Sequence, residues 1–106
     1  LLAPYDCTLI RKTSMDALRD FPGVNLDFVY IDGDHNFRHV AEDIYEWTRK
    51  VKQGGVVAGH DYFNTGPESQ NTMIHVDAVV DAYVKLFEIK DFWLTGDRIP
   101  SWVFIK

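Results

Sequence analysis

The chain has 106 residues, of which 46% are apolar and 25% charged, with a formal net charge of −5, as expected for one small globular domain. The acidic balance argues against a protein that binds nucleic acid, which would carry a basic face, and no apolar run approaches the ~20 residues of a membrane span. Cys7 is the single cysteine, so no disulfide can form within the chain, and a cytoplasmic location is expected.

The first part of the chain predicts a strand and a short helix. Residues 7–10 form a short apolar run that predicts a strand, with Cys7 as a small buried side chain. Thr13 or Ser14 is expected to cap a short helix, which Pro22-Gly23 ends. The chain does not begin with Met, and we expect it to be part of a longer protein or a processed chain.

The middle of the chain predicts a strand–helix–strand unit. Leu26 to Ile31 is β-branched, aromatic and almost continuously apolar, which is typical of a strand covered on both faces in a parallel sheet. A helix is predicted from Asn36, ending at Gly54-Gly55. Its apolar stripe comprises Phe37, Val40, Ile44, Trp47 and Val51. Val56 to Ala58 is predicted as a second strand, parallel to the first.

The last part predicts a loop, a helix and a hairpin. Residues 62–71 carry turn signals and are interpreted as a loop that could cover a substrate. A helix is predicted from Thr72 to Phe87, and His39 and His75 are expected to lie in helices and face solvent. The buried stripe predicted for this helix comprises Val76, Val79, Val80, Tyr83 and Phe87. Residues 92–95 and 102–105 predict two antiparallel strands, which would give the parallel sheet a mixed edge.

Acidic and histidine side chains follow both central strands of the prediction. Asp32, Asp34 and His35 come after the first strand, and His60 and Asp61 come after the second. Ligands bind outside the carboxyl ends of parallel strands, which lie about 4.8 Å apart, so these side chains can converge on one ion. Carboxylates suit Mg²⁺, whereas an imidazole favours Mn²⁺, Zn²⁺ or Fe²⁺. In the alternative interpretation these side chains have only structural roles: Asp34 caps the following helix, and His60 and Asp61 bond to backbone groups of the following loop.

Two motifs at this spacing carry a resemblance to a known family. The sequence Leu-Asp-Phe-Val-Tyr-Ile-Asp-Gly-Asp-His begins at residue 26, and Lys-Gln-Gly-Gly-Val-Val-Ala-Gly-His-Asp-Tyr begins at residue 52. Together they resemble the later half of class I S-adenosylmethionine-dependent methyltransferases, and most closely the small-molecule O-methyltransferase branch.

The resemblance implies a partial Rossmann-like α/β sheet, with parallel strands, a C-terminal antiparallel hairpin and helices on both faces. Residues 7–11 would be the third strand of that fold, 26–32 the fourth, 55–61 the fifth, and the hairpin the sixth and seventh. The first two strands, with the glycine-rich cofactor loop, would be absent, so residues 1–106 would form one truncated domain.

The resemblance also implies how S-adenosylmethionine would bind. Thr13, Ser14 and Met15 would lie near the adenine, while Asp32 and His35 would lie near the sulfonium. The remaining contacts to the cofactor belong, in that family, to the strands missing from this chain.

The resemblance further implies a divalent cation, Mg²⁺ or another, held by Asp32 and Asp61, with His60 where an acid is usual. Asp34 or His35 would be the general base. The expected function is methyl transfer to a hydroxyl of a small molecule. The alternative is a non-catalytic fragment that acts as an oligomerisation or binding domain, because an exposed sheet edge invites a homodimer or a swapped oligomer.

Overall fold

The computed structural model describes residues 4–34, 36–62 and 75–106. Its helices are α1 (Ser14–Ala17), α2 (Phe37–Lys50) and α3 (Val76–Leu86), and a 3₁₀ turn at Leu18–Asp20 follows α1. Its strands are β1 (Leu26–Ile31), β2 (Val51–Gly59), β3 (Phe92–Leu94) and β4 (Trp102–Ile105). The predicted mixed α/β class is confirmed. None of the described helices is long and apolar enough to cross a membrane.

The four strands form one sheet in the order β1-β2-β4-β3. β1 and β2 are parallel, and α2 connects them, which confirms the predicted strand–helix–strand unit. β4 is antiparallel to both β2 and β3, so the predicted hairpin and mixed edge are also confirmed. Among these four strands, β1 forms the other edge.

Side-chain caps determine where the first two helices begin. The Thr13 hydroxyl accepts a hydrogen bond from the backbone N–H of Asp16 at 3.2 Å, as predicted. Asn36 caps α2, because its side chain accepts from the N–H of His39 at 3.0 Å. Asp34 instead accepts a hydrogen bond from the N–H of Asn36 at 3.1 Å. Each cap satisfies one of the backbone donors that a helix start leaves unpaired.

The prediction that Gly54-Gly55 ends the helix is wrong. α2 ends directly before Val51, and both glycines lie within β2. Gly54 has a φ of +85°, and its N–H donates to the carbonyl of Lys106 at 2.8 Å. A Cβ on Gly55 would lie 2.4 Å from Val51 Cγ1 and 2.9 Å from the Asp27 carbonyl oxygen. The glycines therefore form an irregular stretch that passes close to β1, where its register with β2 also shifts.

The hydrophobic core lies on one face of the sheet, beneath α2 and α3. Its fully buried members include Ile44, Val57, Val80, Trp102 and Phe104. Most of the core residues that come from helices belong to the predicted stripes, but Phe37 and Phe87 are 61% and 46% exposed. Both lie at or just beyond a helix end, where the helix no longer covers the sheet, so the stripe prediction is wrong for these two residues.

The prediction that β1 is covered on both faces is wrong within the described residues. Phe28 and Tyr30 are 55% and 46% exposed. Alternate residues of a strand point to opposite faces, so these two lie opposite Ile31, which belongs to the core. The core helices cover only the Ile31 side, and the predicted placement of helices on both faces is not confirmed.

The predicted strand at residues 7–10 does not form, and Cys7 is exposed rather than buried. No described strand pairs with this segment, and an extended run without a ladder partner has nothing to hold it in a sheet. Beyond Tyr62, the predicted loop over residues 62–71 lies outside the described residues, as does the beginning of the helix predicted from Thr72.

Candidate active site

The carboxyl ends of β1 and β2 lie side by side and carry the candidate site. Ile31 pairs with Gly59 at the end of the parallel ladder. The N–H of His60 then donates to the Ile31 carbonyl at 3.1 Å, which extends the ladder beyond the last paired residues. Asp32 and His60 therefore follow directly from two hydrogen-bonded strands, and a rigid sheet determines their separation.

Asp32, His60 and Asp61 form a cluster that could hold a metal ion. Each offers one ligand atom, and these atoms all lie within 4.8 Å of one another. His60 Nδ1 lies 2.8 Å from Asp61 Oδ1. Neighbouring ligands of an octahedral ion with bonds of about 2.1 Å are about 3 Å apart, which is close to the distance between His60 Nδ1 and Asp61 Oδ1, so these two side chains could share one small cation.

The backbone at Asp61 is unusual. Its φ is +61°, a left-handed conformation that few residues other than glycine adopt, and one that concentrates at functional sites. The following residue is anchored twice, because the Tyr62 N–H donates to the Pro100 carbonyl at 3.0 Å and its hydroxyl donates to Asp81 Oδ1 at 2.6 Å. Burial, and then the bond to Asp81, raise the pKa of Tyr62, so it remains a neutral donor.

Asp34 lies beside the cluster, on the turn into α2. It borders the same small cavity as Asp32 and His60. Its Oδ2 is 2.9 Å from Nδ1 of His39, which lies in α2 and is largely exposed, as predicted, yet contacts this carboxylate. His35, the other predicted base, lies outside the described residues.

The three predicted adenine contacts lie together at the start of α1. Thr13, Ser14 and Met15 line a cavity of about 410 Å³ that Gly33 and Asp34 also line. Ser14 Oγ also accepts a hydrogen bond from the Trp47 indole N–H at 2.7 Å. The start of α1 is thus fixed against α2, close to the carboxyl end of β1.

Sequence reasoning missed two residues near the site. Asp43 on α2 is 7% exposed, and it lines a second cavity of about 380 Å³ together with Ser14 and Gly33. Burial raises its pKa, and a hydrogen bond from Ser14 lowers it in part. Its position in the sequence could have indicated this burial, because a residue three positions after Val40 lies beside the apolar stripe of the helix.

The second missed residue is His75, which lies directly before α3 and is only partly exposed, so the prediction that it lies in a helix and faces solvent is wrong. Its Nδ1 accepts a hydrogen bond from the N–H of Phe37 at 2.9 Å. This bond joins the start of α3 to the start of α2, two segments 38 residues apart in sequence. No local pattern could have indicated it.

Comparison with known proteins identifies the class. A family model described as a methyltransferase domain matches residues 4–62, more than half of the 106 residues. The chain therefore belongs to this family of methyltransferase domains. The match includes the ends of both β1 and β2, and so the whole metal-binding candidate cluster. A methyltransferase domain suggests S-adenosylmethionine as the methyl donor.

The chain is also similar to an uncharacterized protein, y4gI, of Sinorhizobium fredii (strain NBRC 101917 / NGR234). The two are 36% identical over 53 residues. The similar segment is half of this chain but only 6% of the relative, so the chain covers a small part of that protein's length.

Proposed function

We propose that this domain transfers a methyl group from S-adenosylmethionine to a hydroxyl of a small molecule, assisted by a divalent cation. The observation that carries the proposal is the convergence of Asp32, His60 and Asp61 at the carboxyl ends of two parallel strands. In open α/β sheets this edge is where ligands bind. A methyltransferase with three ligand side chains at this edge can bring a cation and a substrate oxygen together.

The donor set indicates which cations to test. Two carboxylates and an imidazole occupy about half the positions of an octahedral ion, which leaves room for water and substrate oxygens. The imidazole of His60 favours Mn²⁺, Zn²⁺ or Fe²⁺ over Mg²⁺. We expect Mn²⁺ to bind more tightly than Mg²⁺, and both to bind at this cluster.

The cation, when bound, would lower the pKa of a substrate hydroxyl as a Lewis acid. Asp34 accepts the released proton, since its carboxylate borders the same cavity as Asp32 and His60, and its Oδ2 contacts His39 Nδ1. Hydrogen-bond reach is the first requirement for such a base. Residues 13–15, which line the cavity of about 410 Å³ together with Asp34, orient the methyl donor. Most of the rate acceleration comes from holding donor and acceptor in line.

Titration calorimetry tests this proposal. The purified protein is titrated with Mn²⁺ and Mg²⁺, and then with S-adenosylmethionine in the presence and absence of each cation. We expect cation binding to weaken at least about tenfold in Asp32→Asn and Asp61→Asn, because each loses a charged ligand. Asp91→Asn is the matched control, since this exposed carboxylate lies at the opposite end of the sheet.

The outcomes separate the parts of the proposal. Equal cation affinity in the wild type, Asp32→Asn and Asp61→Asn would show that these carboxylates do not bind the cation and would rule out the proposed metal site. S-Adenosylmethionine binding weaker than about 1 mM would contradict the methyl-transfer function. A turnover assay with radiolabelled methyl donor and a panel of small hydroxylated compounds then identifies the acceptor class.

A second candidate function is assembly through the edge of β1. Among the strands that the structure describes, β1 is an edge strand, and its Phe28 and Tyr30 side chains are about half exposed. An unpaired edge with apolar side chains favours pairing with another chain. We expect a homodimer or swapped oligomer, which analytical ultracentrifugation would detect, whereas a monomer over a wide concentration range would contradict it.

A further inference from the structure

A buried carboxylate on α2 has no part in the reaction described above. Asp43 is 7% exposed and lies next to Ile44 and one turn from Val40, both members of the core. A carboxylate removed from water is unstable unless hydrogen bonds replace its hydration. The hydrogen-bond donors around Asp43 therefore indicate whether its carboxylate is fully satisfied within the protein or can also bind a ligand.

Ser14 supplies one of these donors. Its Oγ accepts a hydrogen bond from the Trp47 indole N–H at 2.7 Å, and its hydroxyl partly offsets the rise that burial causes in the pKa of Asp43, as a donor to that carboxylate does. A hydroxyl has a single hydrogen, and because the Ser14 oxygen accepts from Trp47, that hydrogen is available to the Asp43 carboxylate. Trp47 thus positions a hydroxyl that can donate one hydrogen bond to Asp43.

The carboxylate also borders a groove formed by two adjoining cavities. These have volumes of about 380 Å³ and about 410 Å³, and both are lined by Ser14, Gly33 and Asp43. A Cβ on residue 33 would lie 3.1 Å from Asp43 Oδ2, so the glycine keeps the space in front of this oxygen open. A carboxylate accepts about four hydrogen bonds, and Ser14 supplies one, which leaves acceptor capacity for a ligand with an N–H or O–H group.

The other walls of the groove indicate the shape of that ligand. Val29, Ile31 and Trp47 line the cavity of about 380 Å³, together with Tyr30 and the charged Lys12 and Asp32. The apolar and aromatic part of this wall suits a planar heterocycle, whereas it replaces none of the hydration of an ammonium group. An aromatic ring that carries an amino group satisfies both the walls and the carboxylate.

We propose that Asp43 determines cofactor specificity by accepting a hydrogen bond from the 6-amino group of the adenine ring. This inference rests on the proposed function, because it takes S-adenosylmethionine as the ligand of the groove. Ser14 is a positioning residue in this arrangement, since it acts on the ligand through Asp43.

Calorimetry with two ligands tests the inference. The probes are S-adenosylhomocysteine and its analogue in which hydrogen replaces the 6-amino group. We expect the wild type to bind S-adenosylhomocysteine about tenfold more tightly, since the analogue leaves a charged acceptor without its donor. Asp43→Ala should bind both ligands equally, and Asp43→Asn should show a reduced preference. Glu46→Gln is the matched control and should retain the full preference, because Glu46 on the same helix pairs with Arg49 outside the groove.

Each outcome has one meaning. Equal binding of the two ligands by the wild type, or an unchanged preference in both Asp43 variants, would overturn the inference while leaving the proposed function intact. Absence of S-adenosylhomocysteine binding by the wild type would overturn the proposed function itself. If Asp43→Ala does not fold, Asp43→Asn preserves the shape of the side chain and still measures the loss of charge.

Discussion

The substitution Gly59→Ala should destabilise the protein strongly, because this glycine lies where three strands meet. Gly59 pairs with Ile31 of β1 and with Trp102 of β4. A Cβ there would lie 2.4 Å from Trp102 Cζ2, 2.5 Å from Trp102 Cε2 and 2.6 Å from the Ile31 carbonyl oxygen. Ordinary contacts of a Cβ begin near 3.4 Å, so the methyl group would overlap its neighbours by about 1 Å.

Neither neighbour can easily move away. Trp102 is 1% exposed and stacks on Phe104, while the Ile31 carbonyl accepts the hydrogen bond from His60. Overpacking a rigid core costs about 1–3 kcal/mol, and two immobile neighbours place this case near the upper end, at about 3 kcal/mol. For a domain of this size, that loss lowers the melting temperature by roughly 12–24 °C.

Thermal and urea unfolding followed by circular dichroism measure the effect. Gly96→Ala is the matched control, since a Cβ at residue 96 has no atom within 4 Å. Trp102→Phe provides a second check, because the smaller ring does not reach the position of Cζ2, so Gly59→Ala should cost less in that background. A loss below about 1 kcal/mol, or an equal loss in both backgrounds, would refute the reasoning.

Three further substitutions test individual hydrogen bonds and titrations. Tyr62→Phe should lower the free energy of unfolding by about 1 kcal/mol, because the hydrogen bond to Asp81 is lost. The pKa of Tyr62 is raised in the folded protein, so its contribution to stability is present below about pH 10 and is lost as the pH rises further. The free energy of unfolding of the variant should therefore depend less on pH in the alkaline range. The pKa of Asp43 is also raised, so its protonated form stabilises the fold below about pH 3.9, and this contribution is lost as the pH rises through the pKa of the folded protein. Asp43→Asn should remove this pH dependence from the free energy of urea unfolding between about pH 3 and 7. An unchanged pH profile in the variant would contradict the argument. His75→Ala should cost about 1 kcal/mol, because the N–H of Phe37 loses its acceptor, and hydrogen exchange at that amide should accelerate; exchange at the wild-type rate would show that this bond is not formed in solution.

Local patterns were sufficient to predict the elements whose stability depends on neighbours in the sequence. The bounds of β1 followed from an apolar, β-branched run between polar residues, and they were confirmed. The cap at Thr13 and the C-terminal hairpin were likewise predicted from residue types at fixed spacings. Such features depend on rotamer preferences and turn geometry that a few adjacent residues determine.

Other elements depended on partners distant in sequence. Residues 7–10 have the composition of a strand, but none of the described strands lies beside them, so they remain irregular. Gly54-Gly55 resembled the end of a helix, yet the two glycines lie in β2, where the absence of a Cβ on Gly55 lets the strand pass close to β1. The exposure of Phe28 followed from where the helices pack and not from its own hydrophobicity.

The candidate site shows the same division. The sequence by itself determined that Asp32, His60 and Asp61 end two strands, and general knowledge of parallel sheets predicted that they would approach one another. The tertiary structure decided that their ligand atoms lie within 4.8 Å. It also decided that Asp43 is buried beside Ser14 and that His75 bonds to the start of α2. Burial and long-range hydrogen bonds arise only when separate segments pack together, so no pattern within one segment contains them.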